Sequence, residues 1–172
     1  NTGDSTFEFG SIAGGSLNVY DATADAERMR IDSAGRVTMP YQPAFCAYVT
    51  AGGVSTGTLV YTSTLVNQGG HYNTSTGLFT APVAGTYLFH STTFGNTAAS
   101  TISYFYTQFI KNGLATGPTT HSQYNDTRNY ETITGAQILM LAANDTVSVY
   151  YSSGSAPEYG GPYSHFSGHL IG

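Results

Sequence analysis

Few residues in this sequence could carry out acid–base chemistry, and they are widely spaced. After residue 40 the acidic residues are Asp126, Glu131, Asp145 and Glu158. Cleavage of a glycosidic bond needs two carboxyl groups on either side of that bond, and Asp126 and Glu131 flank one predicted loop. A solvated acidic loop is the commoner explanation of such a pair. Neither a G-x-S-x-G nucleophile motif nor a phosphate-binding P-loop occurs. We therefore expect no enzymatic activity.

The five histidines do not have the spacing of a zinc site on a helix. His165 and His169 share one face of the predicted last strand because side chains alternate along a strand. If that face surrounded a symmetry axis, repeated histidines could bind a metal or respond to acid. Hydrogen-bonded histidines near an interface are the other interpretation, and carboxylates for calcium are sparse. No cofactor and no metal are predicted.

Charge is scarce and unevenly placed. Only 9% of the 172 residues are charged, and six of the ten acids and three of the five basic residues precede Pro40. The remaining surface is polar through Ser, Thr, Asn, Gln and Tyr, so it cannot neutralise many phosphates and nucleic acid is excluded as a partner. Such a surface suits hydrogen bonding to neutral glycans, with Tyr rings as flat contact faces. An extracellular β protein that merely tolerates these residues is the alternative.

Two further classes of protein are excluded by the same inspection. No apolar run is long enough to span a membrane, so membrane insertion is not expected. Cys46 is the single cysteine and can form neither an internal disulfide nor a CxxC metal pair. Because it lies in the apolar run 44–49, we predict a buried small hydrophobic residue at this position.

Two regions can be distinguished along the chain. Residues 1–40 are rich in Gly and Ser at first and then charged. Residues 29–32 and 36–39 alternate apolar and polar positions around Ser33–Gly35, which predicts a β-hairpin or intertwined strands with one face buried by partner chains. Pro40 and Pro43 bracket the hinge to a second region, residues 41–172.

The second region has the pattern of an all-β sandwich or barrel. Turn signals such as Gly69-Gly70, Asn112-Gly113 and Asn144-Asp145 separate segments rich in β-branched and aromatic residues. The predicted strands are Leu59–Val66, Gly85–Phe94, Thr101–Lys111, Thr132–Leu141, Thr146–Tyr151 and His165–Ile171.

Several motifs of residues 41–172 occur in the order of a known family. The longest is residues 77–89, GLFTAPVAGTYLF, and it is followed by 109–113, 135–141 and 166–170. Together they resemble the globular head domain of the first complement component, a member of the tumour necrosis factor-like jelly rolls. Tyr61 and Ser91 depart from its usual aromatic residues. The resemblance implies a homotrimer of ten-stranded jelly rolls with both chain ends near one end of the domain.

A second resemblance concerns the region before the head. No collagen-like Gly-X-Y tract precedes it; instead residues 26–37, AERMRIDSAGRV, resemble the short repeats of bacteriophage tail fibres. This implies a fibre stalk segment at 1–40, location in a virion tail fibre, action outside the cell, and further fibre segments upstream as partners. The number of Tyr and Phe residues also favours a trimer, since one small sandwich is not expected to bury them all.

The order of the strands predicts where a target would be contacted. If the last strands form an antiparallel meander whose end returns to the stalk, the turns at 112–113 and 142–145 lie at the stalk end. Loops 94–100, 121–130 and 152–163 then share the distal tip. Their aromatic, amide and charged side chains form the candidate receptor site, although the tyrosines could instead close the trimer apex. The candidates are Tyr124, Asn125, Asp126, Arg128, Tyr130, Glu158, Tyr159 and Tyr163 (with Asn129 adjacent).

Three functional hypotheses remain open at this point. The first is a host-recognition tip that binds surface polysaccharide or another receptor. The second is a structural domain that registers and trimerises the fibre without a receptor site of its own. The third is a secreted animal lectin or cytokine of the same family, against which the single cysteine and the absence of a Gly-X-Y tract both weigh.

Overall fold

The computed structural model describes residues 6–12, 14–49, 56–96, 104–123, 130–153 and 163–172. Every regular element within these ranges is a β-strand, with no helix among them, and the predicted all-β class is therefore confirmed. The chain divides into two compact units, Asn1–Gln42 and Pro43–Gly172. This division falls two residues after the predicted boundary at residue 40.

The first unit is one antiparallel sheet whose four strands follow one another in chain order. The strands are β1 (Phe7–Ile12), β2 (Ser16–Asp21), β3 (Ala26–Ile31) and β4 (Val37–Thr38). The hairpin predicted around Gly35 is the β3–β4 pair. Its turn is held by the Asp32 carboxylate, which accepts hydrogen bonds of 2.9 Å from the backbone N–H groups of Ala34 and Arg36. β1 and β2 were not predicted, because the Gly-rich and Ser-rich start obscured their alternation.

The second unit consists of two sheets in a jelly-roll strand order. One, called here the first sheet, has the order β13-β10-β15-β5-β7; the second sheet has the order β12-β11-β14-β9-β8, with β6 also paired to β14. The strands are β5 (Ala44–Tyr48), β6 (Gly57–Thr58), β7 (Ser63–Gln68), β8 (Tyr72–Asn73), β9 (Leu78–Thr80), β10 (Gly85–Asn96), β11 (Tyr104–Lys111), β12 (Leu114–Gln123), β13 (Tyr130–Leu141), β14 (Thr146–Ser153) and β15 (His165–Leu170).

The segment predicted as one strand, Leu59–Val66, is instead where the chain crosses between the sheets. β6 pairs with β14 of the second sheet, whereas β7 pairs with β5 of the first. Within the crossing, the backbone N–H of Tyr61 donates to the Tyr72 hydroxyl (3.1 Å), and that hydroxyl donates to the Tyr61 carbonyl (3.2 Å). These bonds replace the ladder bonds that a strand would supply, so the prediction of one continuous strand was wrong.

A second correction concerns β12, which the sequence did not predict. Gly117 and Pro118 lie in its middle, and Gly117 adopts φ 114°. Both residue types argue against a central strand. Gly117 and Pro118 are tolerated because β12 is an edge strand that pairs only with β11 in the sheet order. The N–H that proline lacks is therefore not needed to bond a second neighbouring strand.

The core lies between the two sheets and is dominated by aromatic rings. Phe45 packs edge-on against Phe166 with ring centroids 4.8 Å apart, and stacks on Phe79 at 5.1 Å. Strand alternation directs these side chains inward, since Phe45 and Ala47 are both buried while their neighbours face outward. The buried rings of the second unit are Phe45, Tyr61, Tyr72, Phe79, Tyr87, Phe89, Phe109, Tyr151 and Phe166.

This core corrects one prediction. Cys46 is half-buried on the outward side of β5, because the alternation that buries Phe45 and Ala47 turns it away from the core. Nine aromatic rings of the second unit are buried within a single copy, whereas Tyr163 is exposed, as expected of a sandwich that does not bury every aromatic residue.

Candidate functional site

The ends of the strands that border the three predicted tip loops lie at one end of the second unit. In the first sheet Asn96 pairs with Tyr130. In the second sheet Tyr104 pairs with Gln123, and Phe105 pairs with Ser153. The chain therefore leaves and re-enters both sheets at this end, which we call the loop end.

Most of the predicted receptor residues lie outside the described ranges. Tyr124, Asn125, Asp126, Arg128, Glu158 and Tyr159 belong to this group. Tyr130 is the first residue of β13, and its backbone position opposite Asn96 puts it at the loop end. Tyr163 is the one candidate whose side chain is described.

Tyr163 presents an exposed ring at the loop end. Its side chain is 57% exposed and packs against Phe94, with ring centroids 5.2 Å apart. The next residue, Ser164, is fully buried, and its hydroxyl accepts a hydrogen bond of 3.0 Å from the Phe94 backbone N–H. Two contacts thus anchor the base of the last loop and hold an aromatic face toward the surroundings.

The opposite end of the unit contains the two turns that the sequence placed together. The Asn112 side chain accepts a hydrogen bond of 2.8 Å from the backbone N–H of Thr146, which confirms that the turns at 112–113 and 142–145 are neighbours. Pro43 enters at this same end, because its carbonyl accepts a hydrogen bond of 3.1 Å from the N–H of Leu170, the last residue of β15. The loop end is therefore opposite the residue at which the unit begins.

Asp145 is held in a structural network at this end. Lys111 donates to its carboxylate at 2.8 Å, and the Asn112 amide and the Ala142 N–H add bonds of 2.7 and 2.8 Å. These donors, the Lys111 bond first, lower the pKa of Asp145 to about 2. A carboxylate so firmly ionised is a poor proton donor, so its role here is to tie the two turns together.

The outward face of the first sheet carries no Asp, Glu, Lys or Arg at the described outward positions of β5, β10, β13 and β15. Ile138 is 61% exposed and Met140 80% exposed on β13, and Leu65 and Val66 of β7 are also exposed. These side chains form two uncharged apolar groups at the opposite edges of the sheet, and exposed apolar groups are a feature of surfaces that associate.

A histidine pair lies on the same face. His90 and His165 stack with ring centroids 5.3 Å apart. Partial burial, and then repulsion by His90, lower the pKa of His165. His169 also faces outward on β15, as its alternation predicts, but the partner of His165 is His90 and not His169. No cluster of three or more metal-ligating side chains occurs among the described residues.

Beside the pair is a shallow apolar cavity of about 460 Å³. It is lined by Cys46, Tyr48, Leu65 and His165. Burial raises the pKa of the Cys46 thiol, which keeps it a neutral, weakly reactive group.

A groove that the sequence analysis missed crosses the outward face of the second sheet. Its volume is about 540 Å³, and no charged side chain lines it. Hydroxyl and amide groups of Gln108, Ser148 and Tyr150 lie beside the aliphatic side chain of Ile110. The signal was available as the polar residues Thr146, Ser148 and Tyr150 at alternate positions of β14. Such a groove can hydrogen-bond a neutral polar molecule.

Within the part of the chain that the structure describes, no helix has the length and apolar character required to cross a bilayer.

Comparisons with known proteins agree with this architecture. The family model of the C1q domain matches residues 44–171. The globular domain of the zebrafish complement 1qA protein is similar in structure with a TM-score of 0.60 and 20% identity, covering 76% of this chain and 98% of that one. The Eiger TNF of S. frugiperda has a TM-score of 0.56 and 13% identity, covering 76% and 94%. The search of curated proteins found no match.

At these identities the solved structures establish the fold alone, a jelly roll of the complement and tumour necrosis factor type. The family model covers most of the second unit with its own sequence pattern. This chain therefore belongs to the C1q domain family.

Proposed function

We propose that this chain is the C-terminal tip of a bacteriophage tail fibre and that it recognises a host cell by binding a surface glycan or another receptor. The observation that carries the proposal is the convergence of strand ends from both sheets at the loop end. Loops on a rigid sandwich are the usual place for recognition residues. The candidate residues are Tyr124, Asn125, Asp126, Arg128, Tyr130, Glu158, Tyr159 and Tyr163.

The chemistry of these residues favours a neutral glycan as the ligand. Tyr163 offers an exposed ring, and flat aromatic faces with nearby amides suit sugar rings. The head of the chain has few charges of either sign, which disfavours nucleic acid and other highly charged partners. Binding at each copy is expected to be weak and to be strengthened by several copies acting together.

The working assembly in this proposal is a homotrimer. Domains of the C1q and tumour necrosis factor type typically form trimers. The outward face of the first sheet supports association here, because the side chains of Ile138 and Met140 are exposed there. Burying one such side chain is worth roughly 1.5–3 kcal/mol, so several per copy offset the loss of free motion on assembly.

The proposal places the protein on the virion, where it acts outside the cell and continues into upstream fibre segments. The resemblance of residues 26–37 to tail-fibre repeats supports that context. The loop end lies opposite Pro43, at which the second unit begins. A head attached through its first residues would leave that end free for contact.

A second candidate function is a structural one: the head trimerises and registers the fibre, and recognition occurs elsewhere. The exposed apolar face of the first sheet favours this alternative as much as it favours the first. The two differ only in what the loop end does, so the decisive variants are at that end.

The test uses the full chain on an array of bacterial surface polysaccharides and on whole cells, with molar mass measured by light scattering. A triple variant, Tyr124→Ala, Tyr159→Ala and Tyr163→Ala, removes the tip rings. Tyr41→Ala is the matched control, since Tyr41 in the first unit is 60% exposed, close to the 57% of Tyr163.

We expect the triple variant to lose at least 10-fold in apparent affinity at an unchanged trimer mass, and the control to bind normally. Unchanged binding by the triple variant would overturn the tip assignment. A wild-type trimer that binds no polysaccharide and no cell would favour the structural alternative.

A further inference from the structure

The groove on the outward face of the second sheet is built around a small side chain. Val147 and Val149 of β14 are fully buried in the core, so strand alternation directs Ser148, between them, to the outward face. Ser148 pairs with Ile110 of β11, and Ile110 pairs with Ala115 of β12. Two of these three neighbouring side chains are small, which leaves a depression in this row of the sheet.

Larger side chains border the depression. Gln108 pairs with Tyr150, and Tyr150 pairs with Thr58 of β6, so these three residues form the next row across the same face. All three line the groove, together with Leu78 and Thr146. The volume of about 540 Å³ falls within the range of small-molecule binding sites.

The hydrogen-bonding groups of the groove are open to a ligand. Ser148 is only 3% exposed, yet its side chain forms no hydrogen bond with any residue of the described ranges, and neither do those of Gln108 and Tyr150. The Thr146 hydroxyl, by contrast, donates to the Asn112 side chain at 3.3 Å. Because buried polar groups are as a rule hydrogen-bonded, the Ser148 hydroxyl at the floor of the groove requires a partner from solvent or a ligand.

These groups define the class of ligand. Hydroxyl and amide groups both donate and accept hydrogen bonds, and an ionic ligand would gain no ion pair because no charged side chain lines the groove. Ile110 adds an apolar surface and Tyr150 an aromatic ring. A neutral sugar ring has the matching parts, with hydroxyl groups at its edge and C–H groups on its face.

A peptide strand fits this site less well. Extended peptides join a sheet at an unpaired edge, whereas β14, which forms the floor of the groove, is paired with β11 on one side and with β6 and β9 on the other. Recognition in the groove must therefore come from side chains.

We propose that this groove is a saccharide-binding site, separate from the loop end, that holds a short neutral segment of a glycan chain. Ser148 is five residues before Ser153, which lies at the loop end, so at about 3.4 Å per strand residue the two positions are roughly 17 Å apart. The groove is on the opposite side of the sandwich from the face through which copies associate in the proposed trimer. It adds a site to the proposed function and does not depend on what the loop end binds.

The test is an NMR titration of the full chain with neutral hexasaccharides of glucose, galactose and N-acetylglucosamine, and with a sulfated hexasaccharide for comparison. The amide signals of residues 108–110 and 146–150 report on the groove. We expect a neutral hexasaccharide to shift these signals and the sulfated one to leave them unchanged.

Two variants change the groove without changing its charge. Ser148→Val fills the floor and removes the hydroxyl with a residue type that strands favour, and Gln108→Leu removes the amide at similar size. Each should weaken the apparent affinity by about 10-fold, the effect of one lost hydrogen bond. Ser152→Val is the matched control, because Ser152 also faces outward on β14 but does not line the groove. Unchanged amide signals in the rest of the second unit show that a variant is folded.

The outcomes separate this inference from the proposed function. If none of the neutral hexasaccharides shifts the groove signals, or if both groove variants bind as the wild type does, the inference alone is overturned. Equal shifts with the sulfated hexasaccharide would contradict the neutral class of ligand.

The triple variant of the loop end tells the two sites apart. It should lose attachment to host cells and keep the groove titration of the wild type. Loss of the groove titration in this variant would contradict a separate site. Attachment retained by the triple variant would overturn the loop-end proposal alone.

Discussion

The side-chain amide of Asn112 donates a hydrogen bond of 2.7 Å to the carboxylate of Asp145, 33 residues later in the chain. The same carboxylate pairs with Lys111 and accepts from the Ala142 N–H, while the Asn112 carbonyl oxygen accepts from the Thr146 N–H. The two residues therefore join the β11–β12 turn to the turn before β14. They fix one end of the jelly roll and leave the opposite end to the loops.

The first prediction concerns acid stability. The pKa of Asp145 is about 2 in the folded chain, below its ordinary 3.8. Its stabilising contribution is therefore complete above about pH 4 and is lost as the pH falls toward 2. Asp145→Asn should lower the free energy of unfolding at neutral pH, and its difference from the wild type should shrink steadily between pH 4 and pH 2, as measured by urea unfolding.

Asn112→Gly provides the coupled control for this network. Asn112 adopts φ 50°, which glycine accepts without strain, so this variant removes the amide and keeps the turn. The double variant should be less destabilised than the sum of the single variants. Additive effects would show that the two side chains do not act together.

The second prediction concerns packing at Gly168. A Cβ atom at this position would lie 2.6 Å from the Phe89 ring and 2.9 Å from the Phe45 ring. Overpacking of a filled core typically destabilises by about 1–3 kcal/mol, so Gly168→Ala should lose that much in urea unfolding. Ser167→Ala, one residue away on the outward side, is the control. Equal stability of the two variants would contradict the packing observed around Phe89.

The third prediction concerns His165. Partial burial, and secondly the charge of His90, hold the pKa of His165 below its ordinary 6.5. His165 therefore binds a proton more readily in the unfolded chain than in the folded chain. Because protonation favours the unfolded state, the free energy of unfolding falls as the pH decreases from about 7 to about 5. His165→Gln should flatten this decline, measured as melting temperature against pH. His169→Gln, exposed on the same strand, is the control; equal slopes for His165→Gln and the wild type would exclude this role.

The fourth prediction concerns association through the first sheet. Ile138→Lys adds a charge to its outward face, where burial of a lysine in each copy opposes assembly. We expect the assembly of this variant to dissociate at a protein concentration about 10-fold higher than the wild-type assembly does, as measured by sedimentation. The fold of each copy should be retained. Leu114→Lys is the matched control, because Leu114 is 74% exposed at the edge of the second sheet. Equal dissociation of both variants would place the interface elsewhere.

The local elements of the fold were largely predictable from neighbouring residues. Asn112-Gly113 requires positive φ at both positions, and it adopts 50° and 79°. Alternation along β10, β13 and β15 likewise identifies inward and outward residues. These features depend on interactions within a few residues, which a sequence pattern records directly.

The corrections all involve contacts distant in sequence. The segment from Leu59 looks like one strand, but its two ends bond to different sheets. β12 contains Pro118, which is tolerated because this strand lies at the edge of the second sheet. Cys46 lies in an apolar run, yet its backbone direction in β5 turns it outward. None of these outcomes can be read from the residue type alone.

The candidate site was also predicted only in part. Strand order placed the turns at 112–113 and 142–145 together, and hydrogen bonds between Asn112 and Thr146 confirm that neighbourhood. The side-chain arrangement of the tip residues themselves stays a prediction, apart from the exposed ring of Tyr163 on Phe94. The groove beside Tyr150 was missed because its lining comes from five strands and the turn between β11 and β12.

By itself the sequence determined the all-β class, the positions of the turns, the scarcity of charge and the family motifs, because each of these depends on residue identity and short spacing. Only the tertiary structure decided which sheet each strand joins, which side chains of an apolar run face outward, and where a groove crosses the second sheet. The physical reason is that these properties arise from pairing between residues far apart in the chain, where one register among many buries the core.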